Sequence, residues 1–126
     1  MLRCGVDLVK VSRMQTIRAA ILARFIQRVY TETEQAQSKG NLEQLAGLFA
    51  AKEAASKALG TGIGKVAWRD IEVIHKISGE PTLHLHGNAK LVAEHLGLDE
   101  WAVSISHDDG LAIASVVALG GKSSGD

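Results

Sequence analysis

Asn41-Leu42-Glu43-Gln44-Leu45-Ala46-Gly47-Leu48-Phe49-Ala50-Ala51-Lys52-Glu53-Ala54-Ala55-Ser56-Lys57-Ala58-Leu59-Gly60 is the longest helical pattern in the chain. Asn41 followed by Gln44 has capping-box spacing, and Leu42, Leu45, Ala46, Phe49 and Ala50 supply an apolar face. Gly60 is placed to end the helix. The second half is mostly alanine, so a neighbouring backbone can come close. Glu53 and Lys57 stand at i and i+4 and share a face, with Ser56 beside them. Taken alone, that pair fits an ordinary surface ion pair.

On the N-terminal side, Leu2, Cys4, Val6 and Leu8 alternate with Arg3, Gly5 and Asp7. A period of two predicts a strand with its apolar residues on one face and Asp7 on the other. Cys4 is expected to be a small buried strand residue. Ser12 is placed to cap one helix running through Val29, with Met14, Ile17, Ile21 and Phe25 as its apolar stripe. Arg13, Arg24 and Arg28 make a basic edge beside that stripe, either a solvated face or a docking surface for an acidic partner. Thr31 followed by Glu34 predicts a second, short helix.

On the C-terminal side the chain turns β-rich. Ile71, Val73, His75 and Ile77 share one face of a strand, Ser78-Gly79-Glu80-Pro81 is a turn, and Thr82–His86 returns. Asn88–Leu96 reads as a helix closed by Gly97. Trp101, Val103 and Ile105 alternate in a further strand, and Asp108-Asp109-Gly110 predicts a hairpin. Leu111–Leu119 is apolar almost throughout and reads as a central strand covered on both faces. Strands joined by short turns, mixed with helices, give an α+β class: a small antiparallel sheet on a long central helix. One domain is expected over residues 1–119. The glycine- and serine-rich residues 120–126 are expected to form a disordered tail.

The 126 residues carry 14 Lys+Arg and 14 Asp+Glu, so no global field attracts nucleic acid or an anionic bilayer. Aromatics make up 4%, too few for a row of base-stacking platforms. Cys4 is the single cysteine, which leaves no intrachain disulfide. No apolar run reaches the roughly 18 residues of a membrane span, and Asp7 interrupts the first apolar stretch where a signal peptide would need to continue. A cytoplasmic protein is expected.

Three further segments bear on chemistry. Gly60-Thr61-Gly62-Ile63-Gly64-Lys65 fails the Walker pattern, since Val66 stands where Ser or Thr would be. It also follows a helix rather than a strand, although such a loop can approach a phosphate through its backbone N–H groups. Ser104-Ile105-Ser106-His107 ends a strand without a nucleophile elbow, so His107 either faces a phosphate or caps the turn. His84 and His86 share a strand face, but no Cys pair or His-Glu-x-x-His accompanies them, which favours edge-strand polar residues over zinc ligands.

Gly5-Val6-Asp7-Leu8-Val9 with Arg13, then Phe49-Ala50-Ala51-Lys52-Glu53-Ala54 with Lys57 and Gly60-Thr61-Gly62, then Ser104-Ile105-Ser106-His107, occur here in that order. Over roughly residues 4 to 118 the chain resembles the holo-[acyl-carrier-protein] synthases, the short branch of the phosphopantetheinyl transferases. The resemblance implies transfer of the phosphopantetheine arm of coenzyme A to a serine of an apo acyl carrier protein, with adenosine bisphosphate leaving. It implies Mg2+ held by Asp7 and Glu53, with Lys57 stabilising charge on the diphosphate. Such a donor set suits Mg2+, which takes one or two carboxylates plus phosphate oxygens and water. The base for the serine proton is either Glu53 or a metal-bound water.

By the same resemblance, coenzyme A contacts fall on Ser56, Lys57, Gly60, Gly62, Gly64, His107 and Asp108. The carrier docks on Arg13, Met14, Ile17, Ile21, Arg24, Phe25 and Arg28. A homotrimer with its site between subunits is also implied, with neither nucleic acid nor membrane as a partner. Two positions depart from the family pattern: Leu48 stands where a basic residue is common, and Lys10 where an acid is. Leu48 keeps open the alternative of a non-catalytic coenzyme A or carrier-protein binding module.

Overall fold

The computed structural model describes residues 1–121; the tail expectation falls largely on residues 122–126, which lie outside the described residues. In chain order come β1 (Leu2–Lys10), α1 (Ser12–Gln15), α2 (Ala19–Val29), α3 (Glu32–Ser38), α4 (Leu42–Leu59), β2 (Ile71–His75), β3 (Pro81–Leu85), α5 (Gly87–Leu96), β4 (Glu100–Asp108) and β5 (Leu111–Leu119). β1, β5 and β4 form an antiparallel sheet in that order, and β2 and β3 form a separate antiparallel hairpin. α4 lies across the three-stranded sheet, giving the α+β architecture expected from the sequence. At the far end of β5, the Gly120 N–H donates to the Met1 carbonyl at 2.9 Å.

Local signals act where they were read. Thr31 Oγ1 accepts from the Glu34 N–H, and the Glu34 carboxylate accepts from the Thr31 N–H, completing the capping box of α3. Asn41 Oδ1 caps α4 by accepting from the Gln44 N–H, and Gly60 closes it in the left-handed region at φ 79°. Asp109 and Gly110, both at positive φ, turn β4 into β5 as a two-residue hairpin loop.

The single helix expected from Ser12 to Val29 is instead two. α1 ends at Gln15, and Arg18 is extended at φ −60°, ψ 143° before α2 begins. Thr16 marks the break: its hydroxyl donates back to the Ser12 and Arg13 carbonyls, a local alternative to continuing the helix. Ser12 makes no capping bond, since the N-cap position belongs to Val11.

The sheet also faces the opposite way from the one its apolar alternation suggested. Gly5 and Val9 of β1 are buried beneath α4, together with Ala112, Ala114, Val116 and Ala118 of β5. Leu2, Val6 and Leu8 point outward with Ile113, Val117 and Leu119, each 40–70% exposed. Cys4 shares that outer face and is exposed rather than buried. β5 is central as expected, but in the single chain only one of its faces is covered. The physical reason is distance. α4 brings Ala50, Ala51, Ala54, Ala55 and Ala58 into the interior, and an alanine surface packs best on small residues.

Gly5 is a tight contact between β1 and α4, because a Cβ there would overlap the Ala54 carbonyl of α4. Gly5→Ala is therefore expected to destabilise the chain by about 1–3 kcal/mol through overpacking. Urea denaturation measures it, and an unchanged midpoint would mean that α4 moves off the sheet at no cost.

Candidate active site

The close approach at Gly5 determines what happens two residues later. Asp7 lies on the same helix-facing side of β1, so it meets α4 rather than solvent. Lys57 Nζ reaches across to donate to the Val6 carbonyl at 3.0 Å and to Asp7 Oδ1 at 3.3 Å. Glu53 stands one turn earlier on the same face of α4. Burial pushes the Glu53 carboxyl above the usual carboxylate range, the negative charge of Asp7 raises it further, and Lys57 partly opposes both. The two acids and one lysine thus form a single electrostatic group.

Two carboxylates with one exposed ammonium form an incomplete coordination sphere. Among the described residues no cluster of three or more His, Cys, Asp or Glu side chains could hold a metal ion. Asp7 and Glu53 fit a hard cation that takes its remaining ligands from phosphate oxygens and water, as Mg2+ does. They do not fit a zinc site, which needs three or four protein ligands.

The neighbouring positions divide. Ser56 departs from the contact expected of it: it is fully buried, and its hydroxyl donates to the Glu53 carbonyl at 2.7 Å inside the helix. The glycine loop also departs from a phosphate cradle. The N–H groups of Thr61 and Gly62 both bond the Ser56 carbonyl, that of Gly60 bonds Lys57, and that of Gly64 bonds Val66. Four of its backbone donors are therefore occupied, and Gly62 and Gly64 leave open space beside them. Arg3 Nε donates to the Ala58 carbonyl, which places a guanidinium at the end of α4 next to Gly60.

His107 sits elsewhere. Its Nε2 bonds the Glu43 carbonyl at 2.7 Å, at the start of α4, and Gly47 leaves room for the ring. Ten residues separate Glu43 from Glu53, which at 1.5 Å per residue is about 15 Å along the helix. Asp108 follows, exposed, at the last β4 pair before the hairpin loop. Within one chain the carboxylate group and the histidine therefore lie well apart along α4.

Because of the helix break, Arg13 does not share a helical face with Arg24 and Arg28. Space reunites the set in another way. Arg13, Met14, Ile17 and Phe25 line one cleft with Val9 and Phe49, and Ile21, Arg24, Phe25 and Arg28 line a second. Phe25 is common to both. The first cleft adjoins the carboxylates, since Val9 is two residues past Asp7 and Phe49 one turn before Glu53.

Two residues escaped the sequence reading. Lys52 is fully buried, pairs with Glu34 at 2.8 Å, and donates to the Trp68 and Ile71 carbonyls. Its position in the apolar register of Leu45, Leu48, Ser56 and Leu59 was the available signal. His75, at the end of β2, shares a cleft with His107. Glu72 accepts from Thr31 at 2.6 Å and bonds His86 Nε2 at 2.9 Å, so His86 is engaged as a surface polar residue. Leu48, the departure noted above, is buried in the core.

Comparisons with known proteins show the family of the chain. The family model described as the 4'-phosphopantetheinyl transferase superfamily matches residues 3–114. The holo-[acyl-carrier-protein] synthase of Gloeobacter violaceus is 46% identical over 122 residues, covering 94% of this chain and 92% of the relative. That of Herpetosiphon aurantiacus is 43% identical, covering 95% and 100%. The crystal structure of the Helicobacter pylori holo-[acyl-carrier-protein] synthase in complex with coenzyme A superposes with a TM-score of 0.83 at 32% identity, covering 92% of this chain and 99% of that one.

Proposed function

The chain belongs to the 4'-phosphopantetheinyl transferase superfamily, and from that premise we propose that it moves the phosphopantetheine arm of coenzyme A onto a serine of an apo acyl carrier protein. It is an enzyme of the holo-[acyl-carrier-protein] synthase kind. The observation that carries the reading is the convergence of Asp7, Glu53 and Lys57 where β1 and α4 approach closely.

In this reading the serine oxygen attacks the phosphorus that bears pantetheine. The bond from that phosphorus to the bridging oxygen breaks, and adenosine 3',5'-bisphosphate leaves with the electron pair. Negative charge grows on the phosphoryl and bridging oxygens, and fixed cations lower the barrier. Lys57 is a cation placed beside the two acids, held by the Val6 carbonyl and Asp7. Asp7 and Glu53 would hold Mg2+, which supplies further positive charge to the diphosphate. Glu53, whose proton affinity burial and Asp7 both raise, is suited to accept the serine proton.

Coenzyme A then spans the Lys57 end, the Gly60–Gly64 loop and the His107–Asp108 end. The clefts around Phe25, with Arg13, Arg24 and Arg28, receive the acidic carrier. Two features support a homotrimer with shared sites: the open apolar face of the sheet, and the separation of His107 from Glu53 within one chain. The described residues include no helix long and apolar enough to cross a membrane, and a cytoplasmic location goes with this reading. Residues 1–119 act as one domain.

The decisive experiment mixes the protein with coenzyme A, Mg2+ and an apo carrier, then weighs the carrier. A gain equal to the phosphopantetheine arm is expected. Coenzyme binding without any gain, across several carriers, would favour the non-catalytic module instead.

A further inference from the structure

Lys57 rides on the last turn of α4, and the final carbonyls of a helix have no partner inside it. Here the Ser56 carbonyl accepts from the Thr61 and Gly62 N–H groups at 3.1 and 3.2 Å, and the Lys57 carbonyl from the Gly60 N–H at 3.0 Å. The Ala58 carbonyl is met from outside the helix, by Nε of Arg3 on β1. Ala58 is 1% exposed, so water is a poor substitute and loss of that donor would leave a buried acceptor unpaired. The guanidinium lies against Gly60, where a Cβ would come within 2.5 Å of Nη2. Among the described residues no carboxylate pairs with Arg3, and its charge faces the negative end of the helix dipole.

Two links thus cross between β1 and this turn, in opposite directions. Arg3 reaches from strand to helix at Ala58. Lys57, the neighbouring residue, reaches from helix to strand at Val6 and Asp7. Gly5, between them on β1, lets the two backbones approach. The Lys57 side chain is 54% exposed, so packing does not hold its ammonium. Its direction depends on its two acceptors on β1 and on the turn that carries it.

We propose that Arg3 is a positioning residue for the transfer: by pinning the Ala58 carbonyl it fixes the last turn of α4, and with it the aim of the Lys57 ammonium. The proposal rests on the reading that Lys57 stabilises charge on the diphosphate of coenzyme A. In this role Arg3 acts through Lys57 and not on the coenzyme directly. An error of aim costs little while the coenzyme binds and more as charge grows on the phosphoryl oxygens, so the loss falls on kcat.

A double-mutant cycle on the full chain tests this. Arg3→Met puts a methyl group where Nε stands, Arg3→Gln puts there a carboxamide that can still donate, and Lys57→Met removes the ammonium. Transfer from coenzyme A to an apo carrier in magnesium buffer is followed by carrier mass, with enzyme in excess for the slow variants, and kcat and KM for coenzyme A are read for each. Arg3→Met is expected to lower kcat by on the order of tenfold, with KM within about twofold. Arg3→Gln should recover most of that loss, which a contribution of charge alone would not allow. In the Lys57→Met background, Arg3→Met should cost less than about twofold, because the residue it acts through is gone. An unchanged kcat in Arg3→Met, no recovery in Arg3→Gln, or the same fold-loss in both backgrounds would overturn the proposal alone. Full kcat in Lys57→Met would overturn it together with the role of Lys57, and no transfer by the unaltered protein would overturn the transferase reading as well. Thermal melts set an assay temperature at which every variant is folded. If Arg3→Met folds at none, Arg3→Ala takes its place, and failure of both would make Arg3 a purely structural residue and overturn the proposal.

Discussion

Asp7→Ala and Glu53→Ala should each lower the transfer rate by about 10^2–10^3-fold while leaving the fold intact, the scale seen when one preorganised group facing transition-state charge is removed. The separation of activity from stability comes from the electrostatics of the pair. Glu53 has a folded-state pKa above its unfolded value, because of burial and then Asp7. A raised carboxyl means that the folded state holds its proton to higher pH than the unfolded state does. Ionising it therefore costs stability as pH rises from the unfolded value through the folded one. Glu53→Gln or Glu53→Ala removes this cost, so its melting temperature should hold or rise as its activity collapses. Mass spectrometry of the carrier and thermal melts at pH 7.5 measure the two quantities. Near-full transfer by either alanine variant in magnesium buffer would end the assignment of these acids.

Lys52→Ala should act in the reverse sense, destabilising the whole chain by about 3–5 kcal/mol, the usual result of stranding a buried charge. Lys52 and Glu34 are both fully buried, and Glu34 also accepts from the Thr31 and Val73 N–H groups. Lys52 ties α4 to the Trp68 and Ile71 carbonyls, so one side chain links α3, α4 and the start of β2. Burial lowers its pKa while Glu34, and after it Glu72, oppose that shift, which marks a charge that depends on its partners. The double variant Lys52→Met, Glu34→Gln should recover much of the loss, because no lone charge remains. Urea denaturation at fixed protein concentration measures both, and a loss below about 1 kcal/mol for Lys52→Ala would contradict the account.

What could be read from the sequence was local. Thr31 with Glu34, Asn41 with Gln44, Gly60, and Asp109-Gly110 each act within a few residues of themselves, and each took the expected place. The alternation in β1 sorted residues into two faces correctly, yet could not say which face was inside. That choice belongs to α4, whose alanines accept Gly5 and Val9 and leave no depth for Leu2 or Leu8. Thr16 broke a helix that had no glycine or proline to announce the break. The chemistry of Asp7, Glu53, Lys57 and His107 was suggested by their order in a family resemblance. Nothing in the spacing revealed that Lys57 would bridge to Asp7, or that His107 would bond a carbonyl 64 positions away.

The outward aliphatic face of the sheet has one more implication. In the assembly proposed above, those side chains leave water only when copies meet. Part of the free energy that holds each fold is then supplied by its neighbours, and scales with the logarithm of their number in solution. Dilution would loosen such a molecule as effectively as gentle heating.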